Sequence, residues 1–290
     1  MRSRFKLHLT ACVGVILCGL TLVGDTQRVQ AQSQILWFAD HEGPGKMDWY
    51  SPGGLAFGGG EFNSGCASTP PLAGWANTTF VLWDSDPSTL VPEPPPGGGN
   101  FGLVTTMAAP CGGGLSAGTR LFRWKEPIEH PDLYYKVWYY FPQNYSLIGD
   151  PAWAFWSIWA WISKTTSPQQ SNTFYQINVY NRPVTGNMLL ALYNWQTGTF
   201  PSRVPGTEAI DVPVNQWFYI EALYKSRGDL TGEIKIWQGD SANRWLLWDI
   251  TNVQTKYSGG WTEWYVSNSS SGLDPQPAHI LIDNAEIRTP

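Results

Sequence analysis

Gln176, Asn178 and Tyr180 stand at alternate positions of the segment Phe174-Tyr175-Gln176-Ile177-Asn178-Val179-Tyr180. Side chains two apart on an extended strand share a face. The segment therefore sets two planar amides and a phenol on one side, and Tyr175, Ile177 and Val179 on the core side. Such a polar and aromatic face suits a sugar, whose hydroxyls need planar amide and carboxylate partners and whose axial C–H groups stack on aromatic rings. Tyr193 and Trp195 close the next apolar run and add rings. In Trp217 to Lys225 the same alternation assigns Phe218, Ile220, Ala222 and Tyr224 to the core and turns Tyr219, Glu221 and Lys225 outward. Between Trp153 and Lys164, the set Ser157, Trp159, Trp161 and Ser163 is the less aliphatic one, which makes Trp159 and Trp161 candidate sugar platforms.

These side chains need strands to hold them. Runs rich in aromatic and β-branched residues, bounded by Gly, Pro, Asn, Asp or Ser, predict twelve: 35–38, 79–83, 101–106, 120–124, 133–141, 153–163, 173–180, 188–195, 217–225, 233–238, 245–249 and 279–288. No run of comparable length carries a helical apolar period. Twelve antiparallel strands from one chain imply two packed sheets, hence an all-β sandwich or jelly roll. Composition agrees. Among 290 residues there are 17 Trp, 13 Tyr, 12 Phe, 30 Gly and 22 Pro, with only 14% charged. This is far from the charged, aromatic-poor composition of disordered chains, and the net charge of −5 lacks the basic excess usual in nucleic-acid binders.

Arg2, Arg4 and Lys6 precede an apolar stretch from Leu9 to Gly24, and Val29-Gln30-Ala31 offers a small-residue cleavage pattern. Residues 1–31 thus read as a signal peptide, the stretch being shorter than the ~20 residues of a spanning helix. Residues 32–290 form one jelly-roll domain, secreted or periplasmic, with no membrane insertion and no nucleic-acid partner expected. Cys66 and Cys111 are the cysteines left after that segment; two thiols in an exported chain are expected to pair. His41, His130 and His279 show no zinc-site spacing.

The strand series Leu133-Tyr-Tyr-Lys-Val-Trp-Tyr-Tyr-Phe-Pro142, Asn215-Gln-Trp-Phe-Tyr-Ile-Glu221, Gly232-Glu-Ile-Lys-Ile-Trp-Gln-Gly239 and Ile280-Leu-Ile-Asp-Asn-Ala-Glu-Ile287 resembles that of concanavalin-A-like jelly rolls, in particular the heparin-lyase-like polysaccharide lyases and their secreted relatives. Phe38-Ala-Asp-His-Glu-Gly43 is similar to the group's first strand. The resemblance implies a glycan groove across a concave sheet and, in the enzymes, β-elimination at a uronate. That reaction needs a group to neutralise the carboxylate, a base for the carbon acid and an acid for the departing oxygen. Gln176, Asn178 and Arg182 suit the first role, His130 or Lys225 the second and Tyr180 the third. Where the group tends to carry Gln-Trp-His, this chain has Trp159-Ala160-Trp161-Ile162, so its histidine-based chemistry has no matching residue here.

Two other readings stand beside the lyase: a lectin-like or matrix-associated binder without catalysis, and a hydrolase using paired carboxylates drawn from Glu221, Glu233, Asp249 and Glu263. No organic cofactor is expected. Asp40, Glu42 and Asp283 lie near the terminal strands and are the candidate ligands of a structural Ca²⁺, a hard cation that takes oxygen donors.

Overall fold

The computed structural model describes residues 33–39, 79–83, 101–106, 117–123, 130–148, 154–165, 171–275 and 278–290; for 79–83, 101–106, 117–123 and 171 the backbone alone is described. Fifteen strands run through them in chain order. They are β1 (Ile35–Ala39), β2 (Thr79–Trp83), β3 (Phe101–Thr106), β4 (Ala117–Arg123), β5 (Asp132–Tyr140), β6 (Ser146–Leu147), β7 (Trp156–Lys164), β8 (Ser171–Asn181), β9 (Met188–Asn194), β10 (Trp217–Lys225), β11 (Gly232–Gly239), β12 (Arg244–Val253), β13 (Trp261–Ser270), β14 (Leu273–Asp274) and β15 (Ala278–Arg288). An eight-stranded antiparallel sheet has the order β12-β11-β10-β5-β15-β3-β2, with β1 also paired to β15; a five-stranded one has the order β4-β13-β7-β8-β9; β14 and β6 form a small third. The all-β sandwich expected from the sequence is the fold. No helix among the described residues is long and apolar enough to cross a membrane.

Period-two alternation supplies the two inner faces. From the eight-stranded sheet come Leu133, Tyr135, Val137 and Tyr139 of β5, Phe218, Ile220, Ala222 and Tyr224 of β10, and Ile280, Ile282, Ala285 and Ile287 of β15; from the five-stranded sheet come Tyr175, Ile177 and Val179 of β8 and Leu190 and Leu192 of β9. In β15 the inward set skips from 282 to 285 because the register slips between Asp283 and Glu286. Asn284 takes the left-handed conformation there, at φ 45°. Asn tolerates that region better than most residues, and the extra residue returns Ala285 to the core.

Much of the aromatic content is core. Trp156, Trp159, Trp161, Trp248 and Trp264 are fully buried. Across the sandwich, Trp161 stacks on Tyr224 at 4.5 Å and 15°, while Tyr135 meets Trp159 at 6.4 Å and Trp264 at 5.3 Å. Trp159 and Trp161, expected on the sugar-binding face, are therefore corrected to core residues. The cause is a bulge: β7 pairs Ser157 with Asn178 and Trp159 with Ile177, one residue out of step. The extra residue inverts the parity on either side, so Ser157 faces outward and Trp159 inward.

The sequence reading also lacked β13, which lies between β4 and β7. Its second half, Ser267-Asn268-Ser269-Ser270, has the composition of a turn. These residues are instead buried in the strand, and Ser267 and Asn268 are hydrogen-bonded there. Asn268 accepts from the Trp156 indole at 2.9 Å and donates to the Ala278 carbonyl at 3.0 Å, and the Ser267 hydroxyl donates to the Ser157 carbonyl at 2.8 Å.

Candidate functional site

The outer face of the five-stranded sheet is built from two cross-strand rows. One runs Ser269, Ser157, Asn178, Ala191; the other runs Tyr265, Ala160, Gln176, Tyr193. Ser157, Gln176, Asn178, Ser267 and Ser269 are all buried, as is Tyr265, which packs with Ala160 and Ile162. Towards the β9 edge the face opens, where Trp195 is 48% and Phe200 53% exposed. Tyr193 bridges them, its ring 5.1 Å from Trp195 and 4.9 Å from Phe200, and Phe200 also meets Tyr180 at 5.6 Å. Phe200, beyond the end of β9, went unnoticed in the sequence because no periodicity links it to the sheet.

Hydrogen bonds along this face run in one direction. The Trp195 indole N–H donates to Gln176 Oε1 at 2.9 Å, and Gln176 Nε2 donates to Asn178 Oδ1 at 2.5 Å. Asn178 precedes Tyr180 by two residues on the same face and lowers the pKa of its phenol. An indole N–H can only donate. That fixes the Gln176 amide with its oxygen towards Trp195, and so fixes Asn178 with its oxygen towards Gln176. Burial pushes the Tyr180 phenol above its ordinary value of 10.0; the neighbouring Asn178 side chain pulls it partly back and Tyr193 pushes it up again. The phenol is protonated at neutral pH.

Arg182, just past the end of β8, is committed elsewhere. Its Nε donates to Asp211 and its Nη2 to the Glu208 carbonyl. Partial burial would raise the Asp211 carboxyl, but the bonds from Arg182 and Asn187 hold it below the usual range. The ion pair anchors the segment after β9, and Arg203 pins the same segment through the carbonyls of Leu190, Thr207 and Ile210 at 2.7–2.9 Å. On β4, Arg120 occupies the position in register with Ser267, which places a second arginine at the far side of the sheet.

The remaining sequence-derived candidates do not join this face. Tyr219, Glu221 and Lys225 lie on the outer side of the eight-stranded sheet, across the core from Gln176. Parity had grouped them with Gln176; it identifies a face of a strand, not the sheet that carries it. There Glu221 is gripped by Arg288 and, at 2.7 Å, by Arg244. Arg244 covers the Trp237 ring at 4.2 Å, Arg288 covers Tyr134 at 4.7 Å, and Lys136 lies 4.8 Å from Tyr219 and 5.5 Å from Trp138. Cations thus occupy ring faces that a sugar would need. Lys225 binds Glu233 at 2.5 Å. His130, at one end of the sandwich, has its Nδ1 2.7 Å from the Asp132 carbonyl.

Each hydrolase candidate also has a basic partner: Glu233 is bound by Lys225 and Lys235, Asp249 by Lys235 at 3.5 Å and Glu263 by Lys164 at 2.9 Å. Asp283 is buried and accepts from the Asn284 amide at 2.7 Å. β1 does pair with β15, Ala39 opposite Ala285. Asp40, Glu42, His41, Cys66, Cys111 and residues 1–31 lie outside the described residues, and among those described no group of three or more His, Cys, Asp or Glu side chains is arranged to hold a metal.

No protein-family model matches the chain, and no curated protein matches its sequence. Its structure does have relatives. An endo-β-1,4-glucuronan lyase from the fungus Trichoderma reesei aligns at 12% identity with a TM-score of 0.51, over 89% of this chain and 96% of the other. An alginate lyase from Aplysia kurodai aligns at 10% identity and a TM-score of 0.49, over 75% of this chain and 88% of the other. At such identity the first likeness carries the fold alone, a jelly roll that this chain shares with that lyase. The heparin-lyase-like resemblance drawn from the strand motifs is met at that coarser level.

Proposed function

We propose that the outer face of the five-stranded sheet binds a uronate-containing polysaccharide and that the chain is a lyase cleaving it by β-elimination. The observation that carries this reading is the chain of donors from Trp195 through Gln176 to Asn178, with Tyr180 next on the same face beside the Phe200 and Tyr193 rings. Rings of this kind stack a pyranose, and the Tyr180 O–H donates to the glycosidic oxygen as the bond breaks. A base takes the proton from the carbon beside the carboxyl, a double bond forms between that carbon and the one that bore the oxygen, and the leaving chain keeps the proton from Tyr180. Gln176 and Asn178 serve chiefly to orient that phenol. The fold shared with a glucuronan lyase supports the reading without assigning a substrate. We take the chain to be exported, with Cys66 and Cys111 paired and Asp40, Glu42 and Asp283 near a structural Ca²⁺.

A second reading, a lectin-like binder, draws support from two findings. Ala160 and Ile162 take the outward positions of β7, and neither described histidine, His130 nor His279, belongs to this sheet. A panel of uronate polymers and neutral glucans separates the readings. Lyase action yields absorbance from unsaturated ends together with reducing ends. Binding with no new ends leaves the lectin, and reducing ends without the chromophore mean hydrolysis. In either active or lectin form, Trp195→Ala is expected to weaken glycan binding about tenfold or more, a loss of ~1.4 kcal/mol, while the melting transition stays within ~2 °C because the ring is half exposed. Calorimetric titration with the best polymer checks both.

A further inference from the structure

At one end of the sandwich a cavity of about 380 Å³ enters between the sheets. We propose that it is a second binding site, for a small hydroxylated carboxylate of monosaccharide size such as a pyranuronate. Its volume falls within the ~300–1,000 Å³ of small-molecule sites. Leu133 and Tyr135 of β5 and Tyr224 of β10 form its inner wall, and Lys256, Trp261 and His130 stand among its other lining residues.

Three features point to an anion that carries hydroxyls. Among the described residues the lining holds two basic side chains, His130 and Lys256, and no Asp or Glu. Lys256 donates one hydrogen bond to the Gly260 carbonyl at 2.6 Å, which fixes the ammonium and leaves two of its three N–H groups for a ligand. Tyr135 is only 4% exposed, yet its hydroxyl makes no hydrogen bond to any described residue. Tyr135 lines the cavity, so that hydroxyl is open to a ligand oxygen. Ser226 and Thr262, bonded to each other at 2.5 Å, add two hydroxyls with acceptor capacity left over, and Trp261 and Leu133 supply apolar wall for a ring face. The loop is shaped by its glycines: a methyl on Gly260 would lie 2.5 Å from the Lys164 carbonyl, and Gly259 sits at φ +71° with nothing within 4 Å of where its Cβ would be.

This site does not depend on the sheet-face reading, so the test is run in a Trp195→Ala background where the sheet face is impaired. Sodium D-glucuronate is titrated by calorimetry and by saturation-transfer NMR, with D-glucose as the uncharged probe. Expected are saturable glucuronate binding with Kd on the order of 1 mM, glucose weaker by about tenfold or more, and a loss of about tenfold in Lys256→Met. Tyr135→Phe, a near-isosteric change that keeps the ring in the core, is expected to weaken glucuronate about threefold or more. It serves equally well if Lys256→Met does not fold. Equal binding of glucose, glucuronate binding untouched by both substitutions, or no saturation by about 20 mM would each overturn the proposal.

Discussion

Replacing Tyr180 by Phe is expected to lower turnover of a uronate polymer by about 10²–10⁴-fold, the usual contribution of a positioned proton donor, with polymer affinity held within about twofold. The ring stays, so its packing against Phe200 stays; only the proton is lost. The pH profile of the native protein gives an independent reading. An acid must be protonated to act, and burial, only partly offset by Asn178, holds this phenol above 10.0. The alkaline fall in turnover is therefore expected above pH 10, and Asn178→Ala, which removes the one influence pulling the phenol down, moves that fall higher still. Unchanged turnover in Tyr180→Phe, or an alkaline fall near pH 7 in the native chain, would remove Tyr180 from the acid role.

The largest effect on stability is expected at Trp161. Truncation to Ala removes the ring stacked on Tyr224 and its contacts with Tyr135 and Trp159, at 6.0 and 5.5 Å. Deleting a fully buried tryptophan costs about 3–5 kcal/mol, a large share of the ~5–15 kcal/mol that holds a domain together. Urea unfolding followed by far-UV dichroism checks this as a lower midpoint with an unchanged slope. Trp195→Ala is the contrasting variant, expected to lose glycan and keep the fold. If Trp161→Ala left the midpoint in place and abolished binding instead, the assignment of the two rings would be reversed.

The strand series was legible because its signal is local. Alternation in Tyr175 to Tyr180 and in Trp217 to Lys225 assigned inward and outward residues as the structure has them, since the pleat repeats every two residues whatever the strand packs against. Where the backbone departs from that repeat, the rule fails. One extra residue in β7 carried Trp159 and Trp161 from the expected groove into the core, and the turn-like but buried Ser267-Asn268-Ser269-Ser270 run hid β13.

The aromatic excess divides in the same manner. Composition alone required a place for seventeen tryptophans, but the indoles of Trp161 and Trp195 are chemically alike, and only their surroundings separate a ring stacked in the core from one half exposed beside Gln176.

By itself the sequence determined an all-β sandwich and a strand bearing Gln176, Asn178 and Tyr180 on one face, because strand propensity and pleat depend on near neighbours. The tertiary structure decided which sheet each outward face belongs to. It set Tyr219, Glu221 and Lys225 on the opposite side of the core from Tyr180, tied Arg182 to Asp211 and brought Trp195 onto Gln176. Those outcomes rest on contacts between segments far apart in the chain or on opposite sides of a turn, and no local periodicity records them.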